Sequence, residues 1–416
     1  MSGSASRIIL VTGKGGVGKT TTAASLAVDA ALHGSRVLVV STDPAHSLGD
    51  VLGIDVPSAT SWRAVQDVPL DPSPTQASGR LAALAVDRHT AVEASWGAVR
   101  DHLLGLLEGL DIDPFLADEL VSLPGADEVA ALLALALSAD SGDWDLVVVD
   151  CAPTAETLRL LTLPEILGWH LDRLMPGQRR LLTALRPAAS AATGLALPGP
   201  EVLAVISTWR RLMARCRELL TGPHASVRIV LTPERVVIAE ARRLRSAFAL
   251  HGYAVDEVIV NRILPPGDGD WHTAWNRAQS EGLRLIEESF DGIPVTAGPH
   301  LAGEPIGSRA LAELAAQRWV LAGVPAPLDA PVQAPAVEVA PEGADFVLRA
   351  PIGLSDAEHV TVQRRGDDLV VGVAGERRIL TLPSALRRCI VQNASVGTGV
   401  LTVRFVRDEE VWPRGR

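Results

Sequence analysis

The chain has 416 residues and a formal net charge of −11, long enough for two or three domains with a full core. That acidic balance argues against a nucleic acid or an anionic membrane held through a broad basic surface. Its three cysteines (Cys151, Cys216, Cys389), none in a C-x-x-C pair, offer neither a disulfide framework nor a zinc-ligand pattern, so no zinc is expected.

Arg7–Thr12 is a short apolar run that reads as a strand. It leads into V-T-G-K-G-G-V-G-K-T-T, Val11 to Thr21. Of the 38 Lys and Arg residues only Lys14 and Lys19 are lysines, and both lie in this turn. A compact ammonium enters a phosphate cradle that a wide, planar guanidinium does not fit. Gly13, Gly15, Gly16 and Gly18 let the loop amides, with Val17 and Thr21 completing the turn, face inward as an anion nest. The helix expected over Thr20–His33, closed by Gly34, adds its positive N-terminal end. In this strand–loop–helix setting G-K-T predicts ATP phosphates, with Lys19 on the β- and γ-phosphates and the Thr20 hydroxyl on Mg²⁺.

A second strand, Arg36–Thr42, ends in S-T-D-P-A-H-S-L-G-D (Ser41–Asp50), which puts Asp43 at a sheet mouth. Gln76–Ala139 is rich in Leu and Ala and reads as helical. The strand Asp145–Asp150 then opens V-V-V-D-C-A-P-T-A-E-T-L-R-L-L, placing Asp150 at the next mouth. Asp150 is the candidate Mg²⁺ acid, and Asp43 the candidate that orients and deprotonates the attacking water beside the same metal. A strand-terminal aspartate can equally cap a helix; two at adjacent mouths beside a phosphate loop favour chemistry. Pro164–Leu220 reads as further helix. Strands Ser226–Thr232, Val255–Asn261 and Ile293–Thr296 follow, with a helix Glu234–His251 closed by Gly252. The alternation predicts an α/β unit over residues 1–321: a doubly wound, mostly parallel sheet carrying an inserted helical subdomain (about 76–139 and 164–220).

Residues 322–344 form an Ala/Pro-rich connector expected to be extended and without periodic structure. Residues 345–416 alternate strand runs with turns such as R-G-D-D and V-A-G-E, which predicts a small all-β sandwich. No apolar run reaches about 18 residues, and no leader-like segment precedes Arg7, so a soluble cytoplasmic protein is expected.

Together, T-G-K-G-G-V-G-K-T-T, S-T-D-P-A-H-S-L-G-D, L-P-G-A-D-E (Leu123–Glu128) and D-C-A-P-T-A-E-T-L-R-L-L resemble the ArsA family over roughly residues 7–320. That family comprises arsenite-pump ATPases and the Get-pathway ATPases that target tail-anchored membrane proteins, P-loop NTPases of the SIMIBI class. The resemblance implies a homodimer in which Asp43 is catalytic and Lys14 reaches the partner subunit's nucleotide. It also implies that Glu240, in T-P-E-R-V-V-I-A-E, approaches the nucleotide and that Asn261, in V-I-V-N-R, reads adenine. Pro299, in G-P-H-L-A-G-E-P-I-G, would belong to the loop that closes over the purine. The C-terminal segment, with L-P-S-A-L-R-R-C and G-V-L-T-V-R-F, resembles an α-crystallin (small heat-shock protein) domain; a plain sandwich without a chaperone role is the other reading.

The chain departs from the family in three places. Ala155 and Glu156 stand where the family has Gly-His in its second switch. W-H-T-A-W-N-R, downstream of Asn261, stands where the targeting members have a zinc-binding C-x-x-C. Only Met1, Met175 and Met213 are present, whereas targeting members line a client groove with methionine. Leu103–Leu110, Leu160–Leu167 and Leu181–Leu185 remain as apolar groove candidates.

The expected function is Mg²⁺-dependent ATP hydrolysis in a homodimer whose opening and closing handles a hydrophobic protein or lipid client, with transient membrane association and no nucleic acid. The alternatives are an arsenite or oxyanion pump ATPase subunit, a ParA/MinD-type nucleotide switch, and a nucleotide-gated scaffold.

Overall fold

The computed structural model describes residues 6–409 apart from 44–46, 57, 60–63, 72–78, 87–125, 153, 175–199, 326, 329, 344 and 354–359. The first sheet contains β1 (Arg7–Thr12), β2 (Arg36–Ser41), β3 (Ser58–Ala59), β4 (Gln66–Asp67), β5 (Arg80–Val86) and β6 (Leu146–Asp150). It continues with β7 (Ala225–Leu231), β8 (Val255–Ile263), β9 (Val295–Pro299) and β10 (Trp319–Ala322). The order is β10-β9-β8-β7-β1-β6-β2-β5-β3, with β4 on β5. The strand pairs are parallel except β10 on β9 and β4 on β5.

Strand residues alternate between the two faces, which explains the unbroken apolar runs. Ile9, Val11, Val37, Val39 and Val148 join α1 (Lys19–Leu32), α2 (Ser47–Leu52) and α8, Gly307–Ala316, in one core. Ile8, Leu10, Leu38, Val147 and Val149 join the helices of the other face. Those helices are α3 (Ala126–Asp140), α4 (Thr154–Leu174), α5 (Pro200–Thr221), α6 (Arg235–His251) and α7 (Asp270–Ser289). Gly34 and Gly252 end α1 and α6 in the left-handed region, where a Cβ would be strained.

The strand β5 corrects the reading of 76–139 as purely helical. R-L-A-A-L-A-V is built of good helix formers, yet it lies buried between β2 and β3. Two-sided burial overrides a weak local preference. The helices α3 and α5 overlap the two stretches read as helical, whereas α4 begins at Thr154, ten residues before the second of them. The candidate groove segments Leu103–Leu110 and Leu181–Leu185 lie outside the described residues.

The C-terminal part is an antiparallel sandwich. One sheet has the order β11-β12-β17-β16: β11 (Glu338–Glu342), β12 (Asp345–Pro351), β17 (Val400–Arg407) and β16 (Cys389–Gly397). The other is β13 (Val360–Arg365), β14 (Asp368–Val373) and β15 (Glu376–Thr381), and a short α9 (Ser384–Arg387) leads into β16. Leu348, Leu369, Val371, Val403 and Phe405 fill the space between them. The connector is more ordered than its composition suggests. Its residues 338–342 form β11, the Leu328 carbonyl accepts from Arg7 Nε at 3.1 Å, and the Val332 amide donates to the Pro223 carbonyl at 2.8 Å. Leu250, at the end of α6, is part of the sandwich core, so the two parts share packing.

Candidate active site

Parallel register brings the ends of three strands level: Val11 pairs with Asp150, and Asp150 with Ser41. The glycine loop leaves β1 at this edge. A Cβ on Gly13 would stand 2.1 Å from the Val230 carbonyl oxygen at the end of β7, so only glycine allows the close approach. Gly18 turns at φ 92° directly under Asn261. The Asn261 Nδ2 donates to the Val17 carbonyl at 2.9 Å, and its Oδ1 accepts from the Arg262 amide at 2.9 Å. Asn261, expected to read adenine, therefore also braces the phosphate loop from β8.

Lys19 is buried and donates to the Lys14 carbonyl at 3.3 Å, curling back over the loop. The Thr20 hydroxyl lies 3.2 Å from that of Ser47, at the start of α2. Asp150 is fully buried; its Oδ2 accepts weakly from Ser41 at 3.5 Å, and its Oδ1 has no hydrogen-bond partner. Burial pushes the carboxyl up to about 7, and the nearby Asp43 charge adds to this, while the Thr20 hydroxyl and the Lys19 charge oppose it. Such a carboxylate suits a cation that would compensate its buried charge.

Asp43 follows β2, its amide donating to the Ser41 hydroxyl at 3.3 Å. Thr42 straps this segment to the one after β6: its amide donates to the Asp150 carbonyl at 2.9 Å, and its hydroxyl accepts from the Ala152 amide at 3.2 Å. Glu240, on α6, accepts from the Thr154 hydroxyl at 2.9 Å and lies 3.7 Å from Lys14 Nζ. Within this single chain Lys14 thus rests on its own Glu240. Beside the loop a cavity of about 630 Å³ is lined by Gly18, Thr21, Ser47, Asn261, Pro299 and the 300–306 loop, a size suited to a nucleoside.

The structure therefore gathers Gly13–Thr21, Asp43, Asp150, Glu240, Asn261 and Pro299 along one edge of the sheet. Ser47 and Thr154 sat inside recognised motifs without an assigned role, and their hydroxyls give them one here. Arg262, at φ 59°, left no signal in the sequence.

All three thiols are free and buried, and each lies near a different backbone carbonyl: Val149 for Cys151, Leu132 for Cys216 and Ala385 for Cys389. Burial pushes Cys216 up to about 12 and Cys151 higher still. Among the described residues, no group of three or more His, Cys, Asp or Glu is arranged to hold a metal ion. Mg²⁺ commonly binds through one or two protein ligands plus substrate phosphates, so the orphaned Asp150 oxygen beside Thr20 fits that role without a cage. No helix among the described residues is long and apolar enough to cross a membrane.

Residues 6–318 match the model of the anion-transporting ATPases, and residues 343–405 match that of an HSP20-like domain found in ArsA. Protein Rv2184c of Mycobacterium tuberculosis is 39% identical over 425 residues, spanning 98% of this chain and 97% of that protein. An Aquifex aeolicus protein named "Putative arsenical pump-driving ATPase 1" is 30% identical over 94% of this chain and 97% of its own. ATPase GET3B of Arabidopsis thaliana is 31% identical over 70% of this chain and 73% of its own. A phosphate loop with two aspartates at its edge, carried on this sheet and followed by an HSP20-like sandwich, places the chain in the ArsA ATPase family as a P-loop ATP hydrolase.

Proposed function

We propose that residues 1–321 form the ATPase unit of a cytoplasmic homodimer that uses ATP hydrolysis to open and close around a hydrophobic protein or lipid client. In this reading the C-terminal sandwich is an attached module and membrane contact is transient. The observation that carries the reading is the convergence of Lys19, Thr20 and Asp43 on the buried Asp150, beside a loop whose Gly18 and Thr21 line a nucleoside-sized cavity.

The nucleoside lies against Asn261 and Pro299, with its phosphates over the loop amides. Lys19 turns from the Lys14 carbonyl to the β- and γ-phosphates. The Thr20 hydroxyl and Asp150 would hold Mg²⁺, which would offset charge on the phosphate oxygens. Asp43 orients a water in line with the γ-phosphate and accepts its proton. Lys14 leaves Glu240 and serves the partner subunit's nucleotide as an added cation. That release is cheap, because a 3.7 Å pair between side chains 39% and 26% exposed is worth about 1 kcal/mol or less. The dispersed, protonated thiols give no support to a soft three-sulfur arsenite site.

The test is Asp43→Asn. Turnover is expected to fall about 10²- to 10⁴-fold while ATP still binds. Unchanged turnover would remove Asp43 from the mechanism.

A further inference from the structure

The helices α4 and α6 link the active site to the sandwich. Each begins at the carboxyl edge of the sheet, after β6 and β7, and they are tied together twice. Thr154 hydrogen-bonds Glu240 at the active-site end. His251 Nδ1, at the end of α6, meets Glu165 Oε2, in the middle of α4, at 3.1 Å. Both ties join residues 86 apart in the chain, so the two helices run parallel and in register between them. The separation is three helical turns, about 16 Å. The Tyr253 hydroxyl adds a hydrogen bond to the Leu161 carbonyl. Pro164 lies between the ties. It offers no amide to the Leu160 carbonyl, which leaves α4 one soft turn directly before Glu165.

The sandwich closes this frame with one residue. Arg378, on β15, points to the inner side of its sheet, level with Val371. An arginine there needs partners, and it finds them outside its own module. Its Nε lies 3.0 Å from Glu165 Oε1, and its Nη1 donates to the Leu250 carbonyl, in the last turn of α6, at 2.5 Å. Its side chain is 10% exposed and that of Glu165 18%, so the pair is shielded from water. Arg217 of α5 binds the same carboxylate at 2.8 Å. A single guanidinium therefore bolts the middle of α4 and the last turn of α6 to the sandwich.

We infer that Arg378 is a positioning residue for ATP hydrolysis. Acting through Glu165, it holds α4 at its middle, just past Pro164, so that nucleotide-driven movement at Thr154 reaches the sandwich and the sandwich in turn sets the rate of that movement. This rests on the proposed placing of Asp150 and of Thr154's partner Glu240 beside the nucleotide. Displacement at Thr154 either bends α4 at Pro164 or is carried to Glu165; with Arg378 in place the helix cannot shift without loading β15.

The test uses the full chain, with and without a non-hydrolysable ATP analogue and Mg²⁺, followed by amide hydrogen exchange. Protection of residues 13–21 reports nucleotide in the loop. The expected result is that residues 376–381 also change exchange in the parent, and that Arg378→Ala abolishes this distal response while the loop stays protected. Steady-state kinetics should show kcat altered about three- to tenfold in Arg378→Ala at unchanged KM, with Arg378→Lys restoring much of it. Arg378→Gln, which keeps a donor for the Leu250 carbonyl but no charge for Glu165, should behave like Arg378→Ala, separating the ion pair from simple loss of fold. A protected loop with no response at 376–381, or the same response in Arg378→Ala, overturns the inference and leaves the ATPase reading intact. Failure of the loop itself to be protected overturns both.

Discussion

Gly13 and Gly15 lie two positions apart under opposite constraints. A methyl group on Gly13 collides with a backbone carbonyl that cannot move without unzipping β7, whereas nothing lies within 4 Å of a methyl on Gly15. Gly13→Ala is expected to cost about 3 kcal/mol or more, and Gly15→Ala almost nothing. Urea unfolding of the two variants checks this, and equal midpoints would contradict it. The glycines of the loop were legible as a phosphate motif. The reason Gly13 admits no substitute was not, because the Val230 carbonyl comes from a strand more than 200 residues later in the sequence. Asp43 and Asp150 could be read early because β-strand ends and a phosphate loop have fixed spatial relations. The hydroxyls that hold this edge together, Ser41 on Asp150 and on the Asp43 amide and Thr42 on the backbone after β6, carry no such signature.

At the scale of elements, α4 shows how one helix acquires its role from several neighbours. Burial alone would raise the Glu165 carboxyl, but the hydrogen bond with His251 and the charges of Arg378 and Arg217 outweigh it and hold the group at about 2, below its ordinary 4.5. A depressed carboxyl stabilises the fold fully above pH 4.5, and that contribution is lost as pH falls towards 2. The shift corresponds to about 3 kcal/mol. The stability gap between the parent and Glu165→Gln should therefore be widest above pH 4.5 and shrink steadily on acidification. Denaturation midpoints measured from pH 6 to 2.5 give the comparison, and a gap that does not change with pH would refute it. Sequence patterns located α6, whose Gly252 stop is local, but only the part of α4 from Pro164 onward. They could not show that both helices meet the same arginine. The strand β5 failed for a related reason: Leu and Ala suit a helix in isolation, and only its place between β2 and β3 makes it a strand.

For the whole molecule, the sandwich is no loosely tethered appendage. Leu250 completes its core, Arg378 clamps two helices, and the connector is pinned at Leu328 and Val332. Each part therefore bears on the stability and movement of the other. The lysine expected to act across subunits belongs to this scale, since Lys14 rests on its own Glu240 in the single chain. If it serves a partner, mixing Lys14→Ala chains with chains carrying Lys19→Ala should leave mixed dimers in which the one site that keeps Lys19 receives Lys14 in trans from the Lys19→Ala chain. Activity should then reappear on mixing two inactive variants, up to about a quarter to a half of the parent level if catalysis is a matter of site count. Purely cis action gives no recovery.

The sequence alone determined the phosphate loop, the two acidic strand ends, the parallel α/β alternation and the all-β tail. Each of these depends on residues close together in the chain or on a strict periodicity. Tertiary structure decided that β5 is a strand, that Asn261 braces the loop, that Lys14 rests on Glu240 and that Arg378 reaches the helix leading from the active site. Those contacts join residues far apart in the chain, which no local pattern records, and burial strengthens the ones made by β5, Asn261 and Arg378.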